Sequence, residues 1–152
     1  MRGPDEARGN RLATLNIRSA TVGGLEVALR ELKQGNVDVG VLKETKFMEG
    51  VYARQGAGYT VCILEAEGRH WGVIPVVWRE EAGYQVEGIV NFVPKMVSFL
   101  LTSGLQIWYV VGAYVPPNDS QDFHCVEHVL AMAPKRMDVI VLGDLNARLW
   151  EP

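Results

Sequence analysis

The stretch DVIVLGDLNA, residues 138–147, combines a strand pattern with polar residues at its end. Residues 139–142 are apolar and mostly β-branched, which predicts a buried strand. Gly143 is expected to end the strand and permit a tight turn. Asp144 and Asn146 follow at i and i+2, so they share one face of an extended strand end. This places a proton acceptor beside an amide donor, although an ordinary Asp/Asn turn explains the same residues.

Composition indicates one globular domain of modest acidity. The chain has 152 residues, of which 48% are hydrophobic and 22% charged, with a net charge of −3. The chain therefore has no overall basic field, and its net charge gives no argument for nucleic-acid binding. Cys62 and Cys125 form no CxxC pair, so they indicate neither a zinc ribbon nor a disulfide framework. A reducing compartment is therefore expected. Residues 1–10 lack the apolar segment of a signal peptide, so we expect a loose segment and an intracellular location, nuclear or cytoplasmic.

Residues 96–115 carry no charge and are as long as a membrane span. Thr102-Ser103-Gly104 interrupts them, and β-branched and aromatic residues dominate on both sides. The stretch therefore predicts two strands joined by a tight turn, with a membrane helix as the alternative.

The first part of the chain predicts a strand–helix–strand unit. Residues 12–17 and 37–42 have strand patterns. Between them, Gly35-Asn36 predicts the end of a helix. Before this stop, four apolar residues recur at helical spacing: Leu25, Ala28, Leu29 and Leu32. Such a unit places its two strands side by side and parallel.

The second part predicts an antiparallel meander followed by a helix. The β-rich runs are residues 59–64, 73–78, 84–90, 96–101 and 105–114. Pro75 is expected inside the second run, where it would remove a ladder donor. A short helix over residues 121–132 precedes the final strand.

Four separated stretches line up in order: LNIR at 15–18, VLKETK at 41–46, GAYVPPN at 112–118 and LGDLNA at 142–147. Together they resemble the endonuclease/exonuclease/phosphatase superfamily, and most of all the endonuclease domain of non-LTR (LINE-type) retrotransposon polyproteins. The resemblance spans residues 12–150. It implies a mixed α/β fold, a four-layer α/β/β/α sandwich with two mostly antiparallel sheets. Residues 11–152 would form a partial domain of this kind.

The resemblance also implies phosphodiester hydrolysis, of DNA or RNA, with Mg²⁺ or Mn²⁺. Glu44 would be a metal ligand, and Asn16 would lie beside the metal and the scissile phosphate. Tyr114 would hydrogen-bond a phosphate oxygen. Asp144 would orient or deprotonate the attacking water, and Asn146 would stabilise the oxyanion.

Three departures from the family pattern stand out. Lys43 stands where the family usually has Gln, and His70-Trp71-Gly72 stands where it has Gly-Gly before a central strand. The C-terminal Asp-His motif and the strands around it are missing after Asn146. We therefore expect a truncated chain, weak or inactive as a nuclease, whose open sheet edges invite self-association.

Two other interpretations remain open. The pattern H-x-x-E-H, at His124, Glu127 and His128, is compatible with a zinc peptidase, or else with a solvated helix face. The scaffold could instead be a non-catalytic module that binds nucleic acid or protein. Its phosphate contacts would come from scattered cations: Arg18, Lys43, Lys46, Arg69, Arg79, Lys95 and Arg148. Four tryptophans would stack on bases or, except for the last, which sits at the chain end, belong to the core: Trp71, Trp78, Trp108 and Trp150.

Overall fold

The computed structural model describes residues 11–16, 22–43, 52–56, 58–63, 74–93, 96–114 and 120–144. These ranges contain nine strands, two α-helices and one 3₁₀ turn. In chain order the elements are β1 (Leu12–Asn16), α1 (Val22–Gln34), β2 (Val39–Lys43), β3 (Tyr52–Gly56), β4 (Tyr59–Ile63), β5 (Val76–Arg79), the 3₁₀ turn (Glu80–Ala82), β6 (Gln85–Val93), β7 (Met96–Ser103), β8 (Gln106–Tyr114), α2 (Ser120–Ala131) and β9 (Asp138–Asp144).

The strands form two sheets. The first has five strands in the order β1-β2-β5-β4-β3, and the second has four in the order β6-β7-β8-β9. Each sheet contains one parallel pair, β1–β2 or β8–β9, and its other pairs are antiparallel. A helix connects the strands of each parallel pair, as a parallel crossover requires. The predicted strand–helix–strand unit is confirmed, but the predicted meander is divided between the two sheets.

Helix α1 covers the outer face of the first sheet. Its apolar residues follow the i, i+3, i+4, i+7 spacing that places them on one stripe. They are buried against β2, β4 and β5: Leu25, Ala28, Leu29 and Leu32 pack with Leu42, Tyr59, Val61 and Val77. The helix is followed by Gly35 and by Asn36, whose φ of 52° is left-handed, so the predicted stop is confirmed.

Helix α2 covers the second sheet in the same way. Val126 and Val129 are buried against Met96, Tyr109 and Val111. The inner faces of the two sheets enclose a third cluster: Val39, Val41, Ile74, Val76, Tyr84, Val97, Phe99, Leu101 and Val110. Trp78 and Trp108 pack against this cluster, which places these two tryptophans in the core. The layers are therefore α/β/β/α, as the resemblance implied.

Two local predictions need correction. Strand β5 begins at Val76, so Pro75 lies before the strand and removes no ladder donor from it. The Pro75 carbonyl instead accepts a hydrogen bond from the Leu42 N–H at 3.0 Å. Strand β3 was missed because its sequence, YARQG, lacks the β-branched residues that mark the other strands.

The uncharged stretch forms β7 and β8, joined by a turn in which Gly104 has a φ of 60°. Two strands and a tight turn were predicted there, and both are confirmed. None of the helices in the described ranges has the length and apolar character needed to cross a membrane.

Strand β9 is not buried as predicted. Among the described residues it lies at one edge of the second sheet, and its Val139 and Val141 side chains are 41% and 40% exposed. Both lie beside Tyr109 and Val111 of β8, so they share the sheet face on which α2 packs. The α2 cluster covers β7 and β8 and does not include these two valines. A run of β-branched residues cannot distinguish a central strand from an edge strand of this kind.

Tyr59 links the first sheet to the segment after α1. Its ring is 1% exposed, and its hydroxyl donates to the Val37 carbonyl at 2.5 Å. Tyr59→Phe keeps the ring and removes the donor, so we expect the free energy of unfolding to fall by about 1 kcal/mol in urea denaturation. The buried Tyr109 hydroxyl donates to the Val129 carbonyl over a longer 3.4 Å, so Tyr109→Phe should cost less. Equal losses would contradict this ranking.

Candidate active site

The carboxyl ends of β1, β2, β8 and β9 lie at one end of the sandwich, which we call the carboxyl end. Strand β5 runs antiparallel to β2. At the end of β5, the Arg79 N–H donates a hydrogen bond to the Asp38 carbonyl, which lies just before the start of β2. Residues 80–84 then lead directly into β6, whose Gln85 pairs with Thr102 next to the β7–β8 turn. Because this connection is short, β2 and β8 start at the same end and run in the same direction. Their carboxyl ends therefore share the opposite end.

Strand register aligns the last residues of each parallel pair. Asn16 lies beside Lys43 at the ends of β1 and β2. Tyr114 lies beside Asp144 at the ends of β8 and β9. Cα atoms of β9 also come within 8 Å of Cα atoms in β1 and in β2. Strand β9 is thus a neighbour of β1 and β2 across the sandwich.

Gly112 sets the distance between the sheets near this end. A Cβ at Gly112 would lie 2.9 Å from Val41 Cγ1 and 2.9 Å from Val97 Cγ1. Only glycine lets the β8 backbone approach β2 this closely without displacing a buried valine. Val41 is two residues before Lys43, and Gly112 is two residues before Tyr114. The close contact is therefore about 7 Å along each strand from the strand ends.

Gly143 has a different role from the predicted one. The β8–β9 register continues through Gly143 to Asp144, so the glycine does not end the strand. Its φ is 142°, and a Cβ there would lie 1.8 Å from the Ala113 carbonyl oxygen. Any side chain at this position would push β9 away from β8 immediately before Asp144.

The structure describes three of the five predicted site residues. Asn16 and Asp144 are the last residues of β1 and β9, and the backbone of each lies at the carboxyl end. Tyr114 ends β8, is half-buried and packs against the core between the sheets. Glu44 follows the last residue of β2 in sequence, but it lies outside the described residues, as does Asn146. The strand ends come together, and the roles of the five side chains stay predictions.

The H-x-x-E-H motif lies on α2, and the zinc interpretation needs the motif to be helical. Glu127 and His128 are exposed, whereas Val126 and Val129 face the core. Among the side chains that the structure describes, no three His, Cys, Asp or Glu residues form a group able to hold a metal. Cys62 lies on β4, and burial raises the pKa of its thiol, which disfavours the reactive thiolate.

Sequence comparison gives no relative: no family model matches the chain, and no curated protein does either. Solved structures match its fold. The endonuclease domain of TRAS1, a telomere-specific non-LTR retrotransposon, has a TM-score of 0.62 and 15% identity, covering 91% of this chain and 61% of that one. The D. rerio TDP2 complexed with single strand DNA product has a TM-score of 0.58 and 17% identity, covering 90% and 60%.

A third match extends the set to bacteria. An endonuclease/exonuclease/phosphatase family protein from Leptotrichia buccalis has a TM-score of 0.63 and 12% identity, covering 91% of this chain and 67% of that chain. The chain therefore has the endonuclease/exonuclease/phosphatase fold, as its sequence motifs predicted. It spans about three fifths of the length of the first two structures.

The Gly112 contact can be tested by a compensating change. Gly112→Ala adds a methyl group against Val41 and Val97, and we expect a loss of about 1–3 kcal/mol in the free energy of unfolding. Val41→Ala removes one of the two clashing Cγ1 atoms, so it should destabilise the Gly112→Ala variant less than it destabilises the wild type.

Val77→Ala serves as the matched control for that cycle. Val77 is also fully buried on the first sheet, but it packs on the α1 side. Its effect should add to that of Gly112→Ala without coupling. Additivity of Val41→Ala as well, measured by urea denaturation, would refute the proposed contact.

Proposed function

We propose that this chain is a divalent-metal-dependent phosphodiester hydrolase acting on nucleic acid at the carboxyl end of the sandwich. The proposal rests on the two parallel strand pairs whose last residues, Asn16 and Asp144 among them, lie at that end of the sandwich. Their sequence neighbourhood supplies acids, amides and a phenol, a set suited to phosphate chemistry. The fold is shared with TRAS1 endonuclease and with TDP2, the latter solved with a single-strand DNA product.

The chemistry of the donors fits Mg²⁺ or Mn²⁺. Carboxylate and amide oxygens are hard ligands, and Mg²⁺ takes few protein ligands while keeping waters and substrate phosphate for its other positions. Glu44 would hold the ion, with Asn16 beside it. When bound, the ion would neutralise charge that develops on the phosphate during hydrolysis.

The chain's own side chains would carry the remaining steps. The Asp144 carboxylate would orient a water and accept its proton as the water attacks phosphorus. The Asn146 amide and the Tyr114 hydroxyl would donate hydrogen bonds to phosphate oxygens. Neutral donors of this kind stabilise the growing negative charge most where they are held in place beforehand. Tyr114 meets that condition in part, because its ring packs against the core between the sheets.

Nicking of supercoiled plasmid in Mg²⁺ tests the proposal, and we expect the wild type to nick slowly because the Asp-His motif of the family pattern is missing from this sequence. Asp144→Asn should abolish nicking, because an amide cannot take the proton, and Tyr114→Phe should reduce it roughly 10²-fold by removing one donor. Glu31→Gln, which removes one exposed carboxylate from α1, is the matched control and should leave the rate unchanged.

Two outcomes would overturn the hydrolase proposal. Nicking that survives in Asp144→Asn would indicate a different site or a contaminant. Salt-dependent DNA binding by the wild type without any nicking would favour the non-catalytic binding module instead.

A further inference from the structure

Lys43 is the last residue of β2, and it is the one cation among the four residues that end β1, β2, β8 and β9. Its register partner on β1 is Asn16. Alternate residues of a strand share a face, so position 43 belongs to the face of β2 that carries Val39 and Val41. Both valines are buried in the core between the sheets. Lys43 is therefore the next position on this inner face, at the carboxyl end of the sandwich.

The second sheet brings Tyr114 to the same end. Gly112 of β8 approaches β2 so closely that a Cβ there would lie 2.9 Å from Val41 Cγ1. Lys43 and Tyr114 each follow this contact by two residues and end their strands. The Tyr114 ring packs against the core between the sheets. Two facing strands therefore end at this point, one with a residue that carries an ammonium and the other with a phenol.

The structure separates Lys43 from the other scattered cations. Of the seven that are candidates for phosphate contacts, two lie in the described ranges, Lys43 and Arg79. Arg79 ends β5, which runs antiparallel to β2, so it lies at the opposite end of the first sheet. Its guanidinium carbon is 5.9 Å from the centre of the Tyr59 ring. Lys43 is thus the described member of this set that shares an end with the residues proposed for hydrolysis.

We propose that Lys43 binds a backbone phosphate of a nucleic acid that lies across the carboxyl end. An ammonium is a compact point charge on a flexible stem, and it is a common ligand of phosphate. Because the chain has a net charge of −3, no general basic field attracts a polyanion, and one cation at the site contributes a large share of the attraction. This inference rests on the part of the proposed function that places nucleic acid at this end, and not on hydrolysis.

A carboxylate of the chain itself is the alternative partner of Lys43, since Asp144 ends β9 at the same end. The two partners give different measurable results. An intramolecular ion pair contributes to the free energy of unfolding and releases no counterions from DNA. A phosphate contact releases counterions from DNA and leaves the stability of the free chain unchanged.

The salt dependence of DNA binding tests the phosphate contact. Fluorescence anisotropy of a labelled duplex oligonucleotide, titrated with the chain in EDTA at several KCl concentrations, gives the slope of log association constant against log salt. Lys43→Gln should reduce the magnitude of this slope by about 0.9, because one phosphate is no longer neutralised, and the reduction should be the same for different DNA sequences. Lys43→Met should show the same reduction, and Lys43→Arg, which keeps the charge, should keep the wild-type slope.

Lys33→Gln is the matched control, since Lys33 is exposed in the last turn of α1, near the start of β2. It should leave the slope unchanged. The proposal is overturned if Lys43→Gln keeps the wild-type slope, if Lys33→Gln loses as much, or if the wild type does not bind DNA. A wild-type slope together with lower stability of Lys43→Gln in urea would assign Lys43 to an ion pair instead.

Nicking in Mg²⁺ is scored separately, so the two proposals can fail independently. A reduced slope for Lys43→Gln in a chain that does not nick DNA supports the Lys43 contact and overturns the hydrolase proposal. An unchanged slope in a chain that nicks DNA does the reverse.

Discussion

The contact between Gly112 and Val41 is the constraint on which the carboxyl end of the sandwich depends. It joins β2 of the first sheet to β8 of the second at a separation that leaves no space for a methyl group. Since both strands end two residues later, the contact limits how far Lys43 lies from Tyr114. Each of these residues has a register partner, Asn16 or Asp144, so one close approach positions four strand ends.

The topology explains why one contact is sufficient. Each sheet carries a parallel pair made by a strand–helix–strand crossover, and parallel pairs place their carboxyl ends together. The short link through Glu80–Ala82 then orients the second sheet so that its parallel pair points the same way as the first. Residues far apart in the sequence, such as Asn16 and Asp144, can therefore belong to one site.

Local pattern predicted most of the fold. The spacing of Leu25, Leu29 and Leu32 gave α1 because burial of one helical stripe has an unambiguous period. The uncharged run gave β7 and β8 because Gly104 supplies a conformation that few other residues adopt. Strand β3 and the division of the meander were missed, since polar edge strands carry weak patterns and since sheet membership is a tertiary property.

The candidate site residues were selected for a different reason. They lie at or just after the ends of β1, β2, β8 and β9 and were chosen through their resemblance to a known motif order, and each motif alone was compatible with an ordinary turn. Gly112 was quoted within one motif, yet its role as a spacer depends on Val41, which the sequence does not place opposite it. Gly143 was expected to turn the chain, but its close approach to Ala113 maintains the strand up to Asp144.

If the four strand ends surround a divalent-metal site, titration of the ¹⁵N-labelled chain with Mn²⁺ will reveal it, because the paramagnetic ion broadens the amide signals nearest to it. We expect the amides of Asn16, Lys43, Tyr114 and Asp144 to broaden first, while Gly83 and Gly104, which lie toward the opposite end, stay sharp. Broadening centred on Gly83 and Gly104, or none at millimolar Mn²⁺, would rule out a metal site at the carboxyl end.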